Sequence, residues 1–141
     1  MTTQRFPFVE ADSTLGVASA LPYMPITLTY GEQELSVSAL VDSGAALNVL
    51  PYSTGIQLGA VWDEQTVPVN LSGNLAASEA RALLVTGRVA GFPPVRLAFG
   101  WSRSDNVPVI LGQVNFFMEF DVLFRRSQMH FEVQSKGASA S

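Results

Sequence analysis

Asp42-Ser43-Gly44 is the segment of this chain best suited to chemistry. It follows the apolar run Ala39-Leu40-Val41 and precedes Ala45-Ala46-Leu47. A carboxyl group in that place is aimed by the strand before it and partly withdrawn from water, the setting in which acids serve in proton transfer. Gly44 leaves backbone room beside the acid, and the Ser43 hydroxyl can bond a neighbouring backbone group. The same tripeptide is also an ordinary turn. The flanks bear on the choice: an exposed turn has no use for apolar residues on both sides, and a buried charge without a function is costly. Other chemistries lack their parts. There is no cysteine, which removes disulfides, thiolate metal sites and cysteine nucleophiles. His130 is the single histidine, so a Ser-His-Asp triad would have to use it, and beside Glu132 it reads as an exposed strand residue. No metal or cofactor site is expected.

The elements that would hold Asp42 are strands. Short runs of β-branched and aromatic residues are cut by eleven Gly and eight Pro. Residues 25–30 and 35–41 alternate apolar and polar about Gly31-Glu32, which predicts a hairpin with one inward face. Residues 67–71, 80–89, 95–99 and 107–111 read as further strands. Ser72-Gly73-Asn74 reads as a turn, and residues 52–58 as one helical turn ending at Gly59. Val114, Phe117 and Met118 have helical spacing, which places the one clear helix at 113–119. Phe116, Phe117 and Phe120 read as core rather than as a ligand box. Residues 122–124 and 129–133 close the chain as a hairpin. Residues 1–20 carry little pattern and read as an N-terminal arm, 21–134 as one domain, and 135–141 as a flexible tail.

Composition narrows the partners. The 141 residues are 48% hydrophobic and 14% charged, enough for a core of one domain. The net charge is −4 and the eight basic residues are scattered, which argues against nucleic acid. No apolar run reaches the roughly 18 residues that span a bilayer, and no signal-peptide pattern opens the chain. A soluble, cytoplasmic protein is expected.

Leu40-Val41-Asp42-Ser43-Gly44-Ala45 resembles the active-site strand and loop of the retropepsin-like (retroviral-type) aspartic peptidases. Their pattern is two apolar residues, Asp, Thr or Ser, Gly, then Ala or Ser. Val109-Ile110-Leu111-Gly112 resembles their second hallmark, an apolar run and Gly entering a short C-terminal helix. The resemblance spans about residues 22–134. It implies an all-β, closed acid-protease barrel with one short C-terminal helix, one lobe per chain, working as a homodimer. It implies that Asp42 is catalytic, meeting the Asp42 of a second copy to activate water against a peptide bond. Ser43, Gly44, Ala45 and Ala46 would form the active-site loop, with Ser43 bracing the two loops across the dimer axis. Ser72, Gly73 and Asn74 are the candidate tip of a flap over an extended peptide, although a plain turn fits the same residues. Viral members pair an acid two positions after the loop Gly with an Arg after the second Gly. Here those positions hold Ala46 and Gln113, so that ion pair is absent.

Two rivals remain. One is a catalytically silent retropepsin-like dimer that binds peptides or partner proteins. The other is an unrelated β-barrel binding protein. A chain with a single Asp-Ser-Gly supplies one acid, so one copy cannot furnish both halves of a carboxylate pair.

Overall fold

The structure, a computed structural model, describes residues 2–136 and, at Asn74, the backbone alone. In chain order the strands are β1 (Thr3–Pro7), β2 (Val9–Glu10), β3 (Ala20–Leu21), β4 (Tyr23–Tyr30), β5 (Gln33–Val41) and β6 (Asn48–Leu50). Helix α1 (Tyr52–Gln57) follows. Then come β7 (Ala80–Arg88), β8 (Val95–Ser102), β9 (Val109–Leu111), helix α2 (Phe116–Glu119), β10 (Phe120–Arg125) and β11 (His130–Ser135).

Alternation builds the first hairpin. Met24, Ile26 and Leu28 on β4 are all buried, and the residues between them are not. Tyr30 pairs with Gln33, which leaves Gly31-Glu32 as a two-residue turn. Gly31 there adopts φ +58°, a conformation that only glycine takes at little cost. Six strands then close a barrel in the order β4-β5-β9-β6-β8-β7. The parallel pairing of β5 with β9 does most to position the site: Ala39, Leu40 and Val41 lie against Val109, Ile110 and Leu111. Two motifs distant in sequence thus become neighbouring strand ends.

The barrel is filled by Phe99, Trp101, Leu97 and Leu111, each at most 1% exposed. Phe116 of α2 is fully buried and stacks on Phe120 at 4.9 Å between ring centroids, as core residues do. Among the described residues no helix is long and apolar enough to cross a membrane.

Several local expectations are corrected. Helix α2 begins at Phe116 rather than 113, because Val114 bridges to Leu47 and its carbonyl accepts the Asn48 N–H instead of a donor one turn on. The helical turn expected at 52–58 is present as α1, so the fold has two short helices where one C-terminal helix was expected. Residues 67–71 form no full strand; they touch β7 through Val69 N–H to Ala80 O and Ala82 N–H to Val67 O, and Pro68 between them has no N–H to extend the ladder. Ser72-Gly73-Asn74 enters a 3-10 turn, Gly73–Leu75. The N-terminal arm is not loose at its start: β1 pairs with β11 along Thr3–Pro7. Ser135, assigned to the tail, pairs with Phe120, while residues 137–141 lie outside the described residues.

The three-stranded sheet β1-β11-β10 packs Phe6, Phe131 and Val133 toward the barrel. Its other face carries a charge cluster centred on Glu132. Partial burial is the largest single influence on that carboxyl and pushes it up. The hydrogen bond with His130, the charge and hydrogen bond of Arg125, and the charge of Arg5 together outweigh it and hold Glu132 below its ordinary value of 4.5. A carboxyl lowered by folding stabilises the fold above its unfolded value and ceases to do so as pH falls through the folded one. Thermal stability is therefore expected to drop as pH falls below 4.5. Glu132→Gln should flatten that slope, as Tm measured across the acid range will show; an unchanged slope would remove Glu132 from the cause.

Candidate functional site

Strand β5 delivers Asp42 to its position. The Asp42 N–H donates to Leu111 O at 3.0 Å, so the acid begins where the β5–β9 ladder stops. The chain then turns: Ala45 N–H donates to Asp42 O at 3.1 Å, and Gly44 N–H donates to the carboxylate Oδ1 at 2.9 Å. The second carboxylate oxygen makes no hydrogen bond among the described residues. Asp42 is half-buried, between the buried Val41 and the exposed Ser43.

A second segment locks the loop from behind. Gln113 N–H donates to Ala45 O at 2.9 Å and Val114 N–H to Ala46 O at 2.9 Å. The Gln113 side chain reaches across and donates from Nε2 to Ser43 O at 2.8 Å. Gly112 lies so close beneath the loop that a Cβ there would sit 2.5 Å from Leu47 O and 2.7 Å from Ala45 O. Beneath both segments lies Asn48, fully buried. Its Oδ1 accepts the Gly112 N–H at 2.8 Å, and its Nδ2 donates to Ala98 O at 3.1 Å and to Asn115 Oδ1 at 3.0 Å. Asn115 in turn accepts from Ala98 N–H and donates to Arg96 O. The amide pair ties β6, β8 and the Gly112 turn into one unit.

The sequence reading missed both amides. Gln113 was noted only as standing where viral members have an Arg, with the acid missing too; it braces the loop within its own chain instead. Asn48 was not singled out, and its bonding partners lie too far along the chain to leave a local signal. Replacing Asn48 by Ala strands the Gly112 N–H in a buried place, and an unsatisfied group of this kind costs about 2 kcal/mol. Asn48→Ala is therefore expected to lower the denaturant midpoint with an unchanged slope; wild-type stability would contradict the role given to the network.

Asp42 opens onto a cleft of about 440 Å³. Gly44, Ala45 and Ala46 line one side, Ser72 and Gly73 another, and Asn106 to Pro108 a third. The floor is apolar, with Leu47, Val49, Leu71 and Ile110. The expected loop and turn residues are thus brought to one cavity, with two exceptions. Ser43 is exposed and does not line it, and the side chain of Asn74 lies outside the described residues. Asn106, Val107 and Pro108 line the cleft without having been singled out from sequence. Among the residues lining it, Asp42 alone carries an ionisable side chain. No group of three or more His, Cys, Asp or Glu side chains able to hold a metal occurs among the described residues.

No family model matches the chain, and no curated protein does. Solved structures do. The chain is similar to the EIAV protease complexed with the inhibitor HBY-793, at 18% identity and a TM-score of 0.51, over 66% of this chain and 82% of that one. It is similar to the retroviral protease-like domain of Ddi1 from Leishmania major, at 19% identity and a TM-score of 0.56, over 72% and 79% of the two chains. It is also similar to a retropepsin-like aspartic protease from Rickettsia conorii, at 10% identity and a TM-score of 0.62, over 94% and 91%. At these identities the agreement is one of chain path rather than of side chains, and what it establishes is that this polypeptide takes up the retropepsin-like fold.

Proposed function

We propose that the chain is one half of a homodimeric aspartic endopeptidase in which Asp42 and the Asp42 of a second copy activate a water molecule between them. The observation that carries this reading is the solitary acid: the cleft holds one ionisable side chain, with one carboxylate oxygen left free, at the mouth of a braced loop. One carboxylate cannot take a proton from water and give one to a carbonyl oxygen at the same moment. Two held close together can, because they do not both ionise and so share a proton. One then draws a proton from the water as it attacks the scissile carbonyl, and the other protonates the carbonyl oxygen. No covalent intermediate forms.

The cleft suits an extended peptide. A strand-like substrate would lie between the Asp42 loop and the Ser72-Gly73 turn, with that turn acting as a flap that excludes water. The apolar floor of Leu47, Val49, Leu71 and Ile110 favours an apolar side chain next to the scissile bond. The test is cleavage of a peptide library read by mass spectrometry, with activity per chain followed on dilution. Because two chains build one site, specific activity should fall as the protein is diluted. Activity per chain that stays constant down to a monomer would end this reading.

A further inference from the structure

A single peptide unit stands between Gln113 and the acid. The Ser43 carbonyl accepts from Gln113 Nε2 at 2.8 Å, and the Gly44 N–H of the same peptide donates to Asp42 Oδ1 at 2.9 Å. A trans peptide is planar, with its C=O and N–H pointing opposite ways, so whatever holds the oxygen also aims the hydrogen. We infer that Gln113 is a positioning residue for Asp42: acting through the Ser43–Gly44 peptide, its side-chain amide fixes which carboxylate oxygen is engaged and which is left for water. The inference rests on the two-Asp42 reading and names what sets the acid's orientation within each copy.

This peptide plane needs a hold. Ala45 N–H donates to Asp42 O at 3.1 Å, so residues 42–45 form a four-residue turn with Ser43–Gly44 as its central peptide. The two common forms of such a turn differ by a flip of that peptide, and the flipped form calls for a glycine of positive φ in third place. Gly44 occupies that place, yet it is not among the glycines of positive φ, which are Gly16, Gly31, Gly59 and Gly73. Glycine accepts either form, so its own sterics do not decide. The flip would withdraw the N–H from Asp42 Oδ1 and turn a carbonyl oxygen to the side it left. Among the described residues Gln113 alone donates to Ser43 O, and it holds the unflipped form. Its hydrogen bond also polarises the peptide, which strengthens the N–H as a donor to a carboxylate. Gln113 is itself anchored: its backbone N–H donates to Ala45 O, and the Gly112 N–H before it is held by Asn48 Oδ1. Neither Gln113 nor Ser43 lines the cleft, so the influence falls on the acid rather than on substrate contacts.

Steady-state peptide cleavage by the full chain tests this in wild type, Gln113→Met and Gln113→Arg, with hydrogen exchange of the Gly44 amide followed by NMR in the same proteins. Methionine is an unbranched chain with no N–H to give, and arginine carries donors again. In Gln113→Met, kcat is expected to fall at least about 10-fold, against the 10²-fold that about 1 Å of misplacement can cost, while KM and the dilution midpoint of activity stay within about twofold. The Gly44 amide should exchange at least about tenfold faster. Gln113→Arg should bring both quantities back to within about threefold of wild type. The backbone bond from Gln113 to Ala45 survives either substitution, so Tm should stay within about 2 °C. A brace that only supported the fold would move Tm or KM and spare kcat. Unchanged kcat in folded Gln113→Met, or a loss that Gln113→Arg shares in full, overturns the role of Gln113 and leaves the peptidase reading intact. Unaltered Gly44 exchange in Gln113→Met overturns it whatever the kinetics. A wild type that cuts no peptide at any concentration overturns both.

Discussion

Asp42→Asn is expected to abolish peptide cleavage while leaving the fold as it is. The substitution keeps the size of the side chain, and an amide oxygen can still accept the Gly44 N–H. The loop bonds from Gln113 and Val114 run through backbone atoms of other residues and are untouched. What disappears is the exchangeable proton, and in a symmetric dimer it disappears from both halves at once. Positioned acid–base groups contribute about 10²- to 10⁴-fold to rate, so a loss of at least about 10³-fold in kcat/KM is expected. Stability should stay within about 0.5 kcal/mol, as for surface changes that break no network. Cleavage assays and Tm on the same preparation check both. Substantial activity in folded Asp42→Asn would mean that another group does the chemistry, and the cleft offers no other ionisable one.

Gly112→Ala should produce the largest loss of stability among single methyl additions near the site. The added carbon would fall 2.5 Å from Leu47 O and 2.7 Å from Ala45 O. Both are backbone atoms, so no flexible side chain can swing aside. Ala45 O is also fixed by the Gln113 N–H, and Gly112 itself is held by Asn48 Oδ1. Relief requires moving the Asp42 loop away from the segment beneath it. Overpacking of this kind costs about 3 kcal/mol, which for a domain of this size lowers Tm by roughly 10 °C. Because the displaced piece is the loop that carries the acid, cleavage should fall well beyond the fraction unfolded. A Tm within 2 °C or so of wild type would show that the loop has slack that the contact distances deny.

The sequence revealed most where the physics is local. Alternation in residues 25–41 and the turn at Gly31-Glu32 gave the first hairpin, since burial on one face and a glycine conformation are both written in adjacent residues. Asp42 stood out because an acid inside an apolar run is locally costly. Features that depend on distant partners were invisible. Asn48 bonds to Gly112 and Asn115, and Gln113 to Ser43, across separations that leave no periodic trace. The helix at 113–119 was predicted too long for the same reason: its first residues follow a helical pattern, but the Val114 carbonyl is claimed by the distant Asn48 N–H. Strand β1 was missed because Thr-Gln-Arg-Phe-Pro has one large apolar residue and gains its order from β11 at the far end of the chain.

The β5–β9 pairing has a consequence for biosynthesis. A ribosome releases Asp42 long before Leu111, and loops closed over such a span form late. Until the final third of the domain emerges, the acid has neither the carbonyl that anchors its amide nor the segment that stiffens its turn. On the two-Asp42 reading proposed above, a nascent chain would stay harmless to its neighbours, because a paired acid cannot be positioned on an unfinished polypeptide.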